Sequence, residues 1–316
     1  MIRWAEQNFK DIRGLLLAHE SLSKRTWLGV GGLADLYFEP QDETDLARFL
    51  QQAPADMPIT VMGAGSNMLV RDGGIEGCVI KLQGSFSALA IEGDDIIAGA
   101  GVTDAELARF AAKNGRGGLS FLVSIPGTVG GGLRMNAGCY GAEFKDVVTE
   151  ARLMARDGTI HHQTPQEMGM SYRHSDVAAD WIFLSARFAT KPAPIDELKA
   201  EMKQMLLMRA ETQPQGVRTG GSTFANPEGG KAWQVIDKAG CRGLQIGDAS
   251  MSDEHCNFMI NQGKASASDL ETLGEEVRAK VKQSSGIELR WEIKILGRPL
   301  DNKTASTLAM TGDKHD

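Results

Sequence analysis

At 316 residues the chain is long for a single domain and suits two or three, and its 42% hydrophobic and 24% charged residues are those of an ordinary water-soluble protein. A net charge of −7, with Lys and Arg dispersed along the chain, argues against nucleic acid as a partner. No apolar run reaches the roughly 20 residues of a membrane span. The opening residues, MIRWAEQNFKDIRG, carry charge where a signal peptide is apolar, so a cytoplasmic protein with no membrane partner is expected. Cys78, Cys139, Cys241 and Cys256 form no paired-ligand motif, and neither a metal site nor a disulfide framework is expected.

In chain order, residues 3–20 place Trp4, Phe9, Ile12, Leu15 and Leu16 at helical spacing and predict an amphipathic helix. TWLGVGGLADLYFEP (26–40) reads as a glycine turn and a strand ending at Pro40, and DETDLARFLQQA (42–53) as a helix with acidic residues in its first turn. PITVMGAGSNMLV (58–70) is a buried strand running into a glycine loop, and GCVIKL (77–82) is another strand. A first section thus spans 1–83.

The second section, 84–193, has a strand at 96–101 and a helix at 103–115 capped by Thr103 or Asp104. The glycine-rich stretch 124–141 follows, then strands at 146–156 and 181–190 around the polar SYRHSD. A proline-bearing linker and a helix (191–210) open a third section, 194–288, with helices at 231–240 and 266–285 and a strand near 255–262. It predicts a small α/β domain. A last strand at 289–297 is assigned to the second section, and residues 301–316 read as a flexible polar tail.

The stretch SIPGTVGGGLRMNAGCYG sets glycines among Ile125, Val129, Leu133, Met135 and Tyr140, which seek burial. It reads as an ordered loop lying close to something rather than as a linker. Pro126-Gly127-Thr128 is a rigid turn ending in a hydroxyl; Gly131 permits close approach of main chain, and Asn136, Gly138 and Tyr140 offer a donor, a close approach and an aromatic edge. In the shorter loop Gly63, Ala64, Gly65, Ser66, Asn67 and Met68, the glycines let backbone N–H groups approach a phosphate. The missing third glycine speaks against a dinucleotide-binding βαβ unit. Turns without a ligand are the competing reading of both loops.

Arg173 within SYRHSD suits a carboxylate or phosphate, or a surface ion pair. Ser222 in GGSTFANP follows two glycines on an exposed turn without a hydrolase motif, so its hydroxyl is a candidate proton donor. Glu292 in LRWEIKILG is either an edge-strand charge or a catalytic acid.

Taken in order, TWLGVGGLADLYFEP, GAGSNMLV, IPGTVGGGLRMNAGCYG, SYRHSD, GSTFANP, AWQVIDKAGCRG, HCNFMIN and EIKILG resemble the UDP-N-acetylenolpyruvoylglucosamine reductases (the MurB family) of bacterial cell-wall precursor synthesis. The resemblance implies an α+β architecture: a PCMH-type FAD-binding unit of two subdomains plus a smaller α/β substrate-binding domain. It implies non-covalent FAD wrapped by the glycine stretch, with the loop at Gly63–Met68 on its pyrophosphate, and NADPH as reductant. It implies UDP-N-acetylglucosamine enolpyruvate as substrate, with Arg173 on its carboxylate, Glu292 assisting as an acid and Ser222 giving the proton. Asn226, His255 and Arg209 match positions lining the sugar-nucleotide site.

Two departures stand out: Ser120 replaces a frequent acidic residue, and Arg290-Trp291 a frequent Glu-Pro. The short span from Arg173 to Ser222 resembles the family's class without a tyrosine loop. A monomer is expected. A flavin oxidase and a non-catalytic nucleotide-sugar binder are the alternatives. The first lacks a histidine in either glycine loop to tether flavin, and the second is disfavoured by the retained Arg173, Ser222 and Glu292.

Overall fold

A computed structural model describes Trp4 and residues 7–300; the polar tail expected at 301–316 lies outside the described residues. The helix predicted over 3–20 is replaced, within those residues, by irregular chain and the strand Leu15–Ser21. The cause is Asp45, whose carboxylate accepts from Arg13 N at 2.9 Å, Gly14 N at 2.8 Å and Gln41 N at 3.0 Å. Those main-chain donors are withdrawn from any helical ladder. A Cβ on Gly14 would sit 2.1 Å from the Glu39 carbonyl oxygen, and Phe9 instead stacks on Phe49 with centroids 4.6 Å apart.

The first sheet has the strand order Leu15–Ser21, Leu33–Glu39, Ile75–Lys81, Ile59–Met62, antiparallel at the first pair and parallel at the other two. Helix Glu43–Gln52 starts at Asp42, whose side chain accepts from Asp45 N. The second sheet is antiparallel, ordered Ile160–Gln163, Val148–Met154, Ile182–Phe188, Asp95–Gly99, Leu89–Glu92. Helix Asp104–Lys113 is capped by Thr103, which exchanges hydrogen bonds with Glu106 in a capping box. The third sheet, ordered Arg218–Ser222, Phe258–Asn261, Ala249–Met251, Gln245–Ile246, is antiparallel. Its Ala249, Met251 and Met259 form one apolar cluster with buried residues of helices Ala232–Lys238 and Ala267–Ser285.

Two expectations are corrected. The last strand does not join the second sheet: Lys294–Leu296 pairs in parallel with Met68–Val70, directly after the loop at Gly63–Met68. The glycine stretch is not a loop throughout, since Val129–Met135 is helical and encloses all three consecutive glycines. Gly132 is buried against Phe144, where a Cβ would lie 2.1 Å from the ring, and Gly130 faces Ala100 at 3.1 Å. Close tertiary packing, not chain flexibility, is what these two glycines serve. No helix among the described residues is long and apolar enough to cross a membrane.

Candidate active site

The two glycine loops meet. Ser66 Oγ donates to the Pro126 carbonyl, and a Cβ on Gly63 would lie 2.6 Å from Thr128 Oγ1. Gly65 has φ +67° and passes so close to the Arg25 carbonyl, 2.2 Å from an added Cβ, that only glycine fits. Gly131 differs from its two neighbours: an added Cβ would have only the Thr128 hydroxyl near it, at 3.7 Å, so its open side lies beside that hydroxyl. Main chain is thus presented bare between the two loops, as an extended cofactor requires, and the residues present fit one. Ala64 and Met68 are partly exposed there. Tyr140 is exposed and left-handed (φ +53°), its hydroxyl donating to Met205 O at 2.8 Å. Asn136, expected among the cofactor donors, is completely buried, and its amide is committed to Glu143, Ser171 and Lys145.

Behind the turn lies a group that sequence patterns credited only as a possible cap. Asp104 is fully buried, and neither carboxylate oxygen has a hydrogen-bond partner among the described residues. Its Oδ2 would be 2.7 Å from a Cβ on Gly127. Burial pushes this carboxyl well above the ordinary carboxylate range.

Arg173 and Glu292, 119 residues apart, are in direct contact: Arg173 Nε donates to Glu292 Oε1 at 2.7 Å. The arginine sits in a tight turn closed by paired Ser171 and His174 main chain, with φ +57°, a conformation that a β-carbon disfavours. Its Nη2 donates to Gly138 O at 2.9 Å, and its guanidinium lies 4.9 Å from the Tyr172 ring centroid. Burial works to discharge Arg173, but the charge and hydrogen bond of Glu292 outweigh it and hold the guanidinium above its ordinary value.

Ser222 enters from the third sheet. It ends the strand Arg218–Ser222, opposite Phe258, and the next carbonyl, of Thr223, accepts from Glu292 N at 2.9 Å. The serine and the glutamate are therefore neighbours across a chain crossing. No hydrogen bond engages the Ser222 hydroxyl among the described residues, and its partial exposure leaves it available to a ligand. Asn257, an unremarked residue of HCNFMIN, clasps the crossing by bonding both N and O of Phe224 at 3.0 and 2.9 Å. Trp291, at the departure from Glu-Pro, packs where an added Cβ on Gly274 would be 1.9 Å from its ring, and donates to Glu275 at 2.8 Å.

The remaining candidates divide. Asn226 is exposed, and its Oδ1 accepts from Ala232 N at 3.0 Å. His255 lies edge-on to Trp233 and Phe258, at 6.4 and 4.8 Å between centroids, and burial pushes its imidazole below its ordinary value. Its ring contact is with Phe258, the residue that pairs with Ser222 across the sheet. Arg209 instead abuts the glycine stretch, donating to Ser124 O and lining a cavity of about 280 Å³ with Cys139, Tyr140 and Gln213.

Two sequence profiles match this chain: "FAD binding domain" over residues 34–164, and "UDP-N-acetylenolpyruvoylglucosamine reductase, C-terminal domain" over 213–296. The reductase of Azorhizobium caulinodans is 50% identical over 289 residues, 92% of this chain and 94% of its own; that of Methylorubrum populi is 52% identical over 91% and 93%. The crystal structure of the reductase from Thermus caldophilus superposes with a TM-score of 0.79 at 33% identity, covering 90% of this chain and 99% of that one. The chain belongs to the UDP-N-acetylenolpyruvoylglucosamine reductase family. As a member of that reductase family it is an FAD-dependent oxidoreductase with the α+β, PCMH-type fold. Arg173 falls between the two matched profiles, whereas Ser222 and Glu292 fall within the second.

Proposed function

We propose that this chain reduces UDP-N-acetylglucosamine enolpyruvate to UDP-N-acetylmuramate with NADPH, and that Arg173, Ser222 and Glu292 carry the reaction. The observation that supports this reading is their convergence: a partly buried ion pair on one side of a chain crossing and an unengaged hydroxyl on the other. The main chain of Gly63–Met68, the turn at Pro126, Gly127 and Thr128, and Gly131 would hold FAD, which when bound and reduced by NADPH would supply the hydride for the terminal carbon of the enol ether. Arg173 grips the substrate carboxylate with its guanidinium fork and spreads the negative charge that builds on the neighbouring carbon. Glu292 holds Arg173 in register and, when protonated, hydrogen-bonds the same carboxylate. Ser222 delivers its hydroxyl proton to that carbon, completing net addition of H⁻ and H⁺ across the double bond.

Asn226, His255 and Arg209 line the path of the sugar nucleotide in this reading. The functional units are 1–83 and 84–193 for the cofactor and 194–288 for the substrate, in a cytoplasmic monomer that takes no nucleic acid. The test is anaerobic. NADPH bleaches the flavin band of the purified protein, and adding the enolpyruvyl sugar nucleotide restores it; a bleached spectrum that substrate leaves unchanged refutes the proposal.

A further inference from the structure

Neither member of the Arg173–Glu292 pair is secured by its own segment alone. Each is fastened to one of the two glycine loops by an asparagine that bonds main chain. Asn67, in the shorter loop, donates from Nδ2 to the Glu292 carbonyl at 3.1 Å, and its own carbonyl accepts from Lys294 N at 3.0 Å. One residue therefore brackets Glu292 and fixes where its strand lies against the loop. On the other arm Asn136 ends helix Val129–Met135 in the left-handed region, φ +40°, and donates to Ser171 O at 2.9 Å. Ser171 is the base of the turn whose strained residue is Arg173. A turn held in a disfavoured conformation persists only where its surroundings over-determine it, and Asn136 is that restraint.

We infer that Asn67 is a positioning residue for the reaction, holding the Glu292 carboxylate on Arg173 from the cofactor loop, with Asn136 as its counterpart on the arginine side. This rests on the catalytic reading of Arg173 and Glu292 above. Its consequence is coupling: any displacement of the loop carries the carboxyl with it, so seating of the cofactor and recognition of the substrate carboxylate are set by one set of hydrogen bonds. Misplacing a reacting group by about 1 Å can cost up to a hundredfold in rate, and one lost strut to a still-paired strand corresponds to about tenfold.

The experiment uses the holoenzyme in the four forms of a cycle: parent, Asn67→Ala, Glu292→Gln and both together. Single-turnover reoxidation by the enolpyruvyl substrate is followed by stopped flow, and FAD dissociation by flavin fluorescence. Asn67→Ala slows reoxidation about tenfold in the parent and less than twofold where Glu292 is already Gln, because a residue acting through another is silent once that other is gone. FAD affinity stays within about threefold, since alanine keeps the loop's main chain, which is what the cofactor would meet, and removes only the Nδ2 tether to the Glu292 carbonyl. Equal losses in both backgrounds overturn the strut, and so does a tenfold or larger fall in FAD affinity, which makes Asn67 a cofactor ligand. Parental speed in Glu292→Gln alone removes the catalytic reading itself, and this inference with it.

Discussion

Gly131 and Gly132 are adjacent in sequence and in one helix, yet alanine has opposite consequences at the two positions. An alanine in a helix interior is favoured over glycine by about 1 kcal/mol. At Gly132 the new methyl would lie 2.1, 2.4 and 2.7 Å from three carbons of Phe144, against the 3.5–4.0 Å at which carbon atoms are at ease. Phe144 is fully buried and held edge-on to Phe188, with centroids 5.8 Å apart and ring planes 73° apart, so the ring has nowhere to swing. Overpacking of this kind costs about 1–3 kcal/mol or more, which exceeds the helical gain. Gly132→Ala is therefore expected to lower stability by about 2 kcal/mol in urea titration, and Phe144→Leu in the same chain to return part of it. Gly131→Ala meets only the Thr128 hydroxyl at 3.7 Å; it keeps or raises stability but stands its methyl between the glycine loops and weakens FAD binding tenfold or more. If Gly132→Ala stabilises the protein as an ordinary exposed helical glycine would, the packing account of the glycine triplet is wrong.

Ser222→Ala keeps flavin reduction by NADPH while slowing reoxidation by substrate about 10²–10⁴-fold, the usual worth of a placed proton donor; an unchanged single-turnover rate refutes that role. Arg173→Lys replaces a two-pronged donor with a point charge and loses both the Glu292 and Gly138 bonds as drawn, so turnover at saturating substrate falls at least tenfold; parental turnover contradicts it. Asp104 gives a pH signature. Its folded carboxyl keeps its proton well above the ordinary value of 3.8, whereas the unfolded one releases it there, so its contribution to stability is greatest at low pH and declines as pH rises. Asp104→Asn should therefore gain stability relative to the parent as pH rises above the ordinary value of 3.8, by at most about 1.4 kcal/mol per pH unit; a flat difference there would show that the group titrates normally.

Much of the fold could be read locally because the signals were local. Thr103 and Glu106 lie three residues apart and cap their own helix, and Ser266 and Asp269 do the same for Ala267–Ser285. Leu15–Ser21 was misread since the residue that decides it, Asp45, is some thirty positions away and captures main-chain donors whatever the apolar spacing says. The glycine triplet misled for the same reason: its composition suggests a loop, and only Phe144 and Ala100 explain why small residues sit in a helix. At the site, Glu292 looked like a charge on an edge strand because its partner, Arg173, is 119 residues distant. The order of motifs along the chain, rather than any one of them, made the family legible.

The pairing of Lys294–Leu296 with Met68–Val70 also bears on how the protein is made. A ribosome delivers residues 68–70 long before their neighbour, so a growing chain carries the strand after the Gly63–Met68 loop without its partner until residues 294–296 are made. Glu292 arrives in the same closing segment. A fragment truncated before Glu292 lacks both that carboxyl and the strand partner of Met68–Val70, and is expected neither to hold flavin nor to turn substrate over.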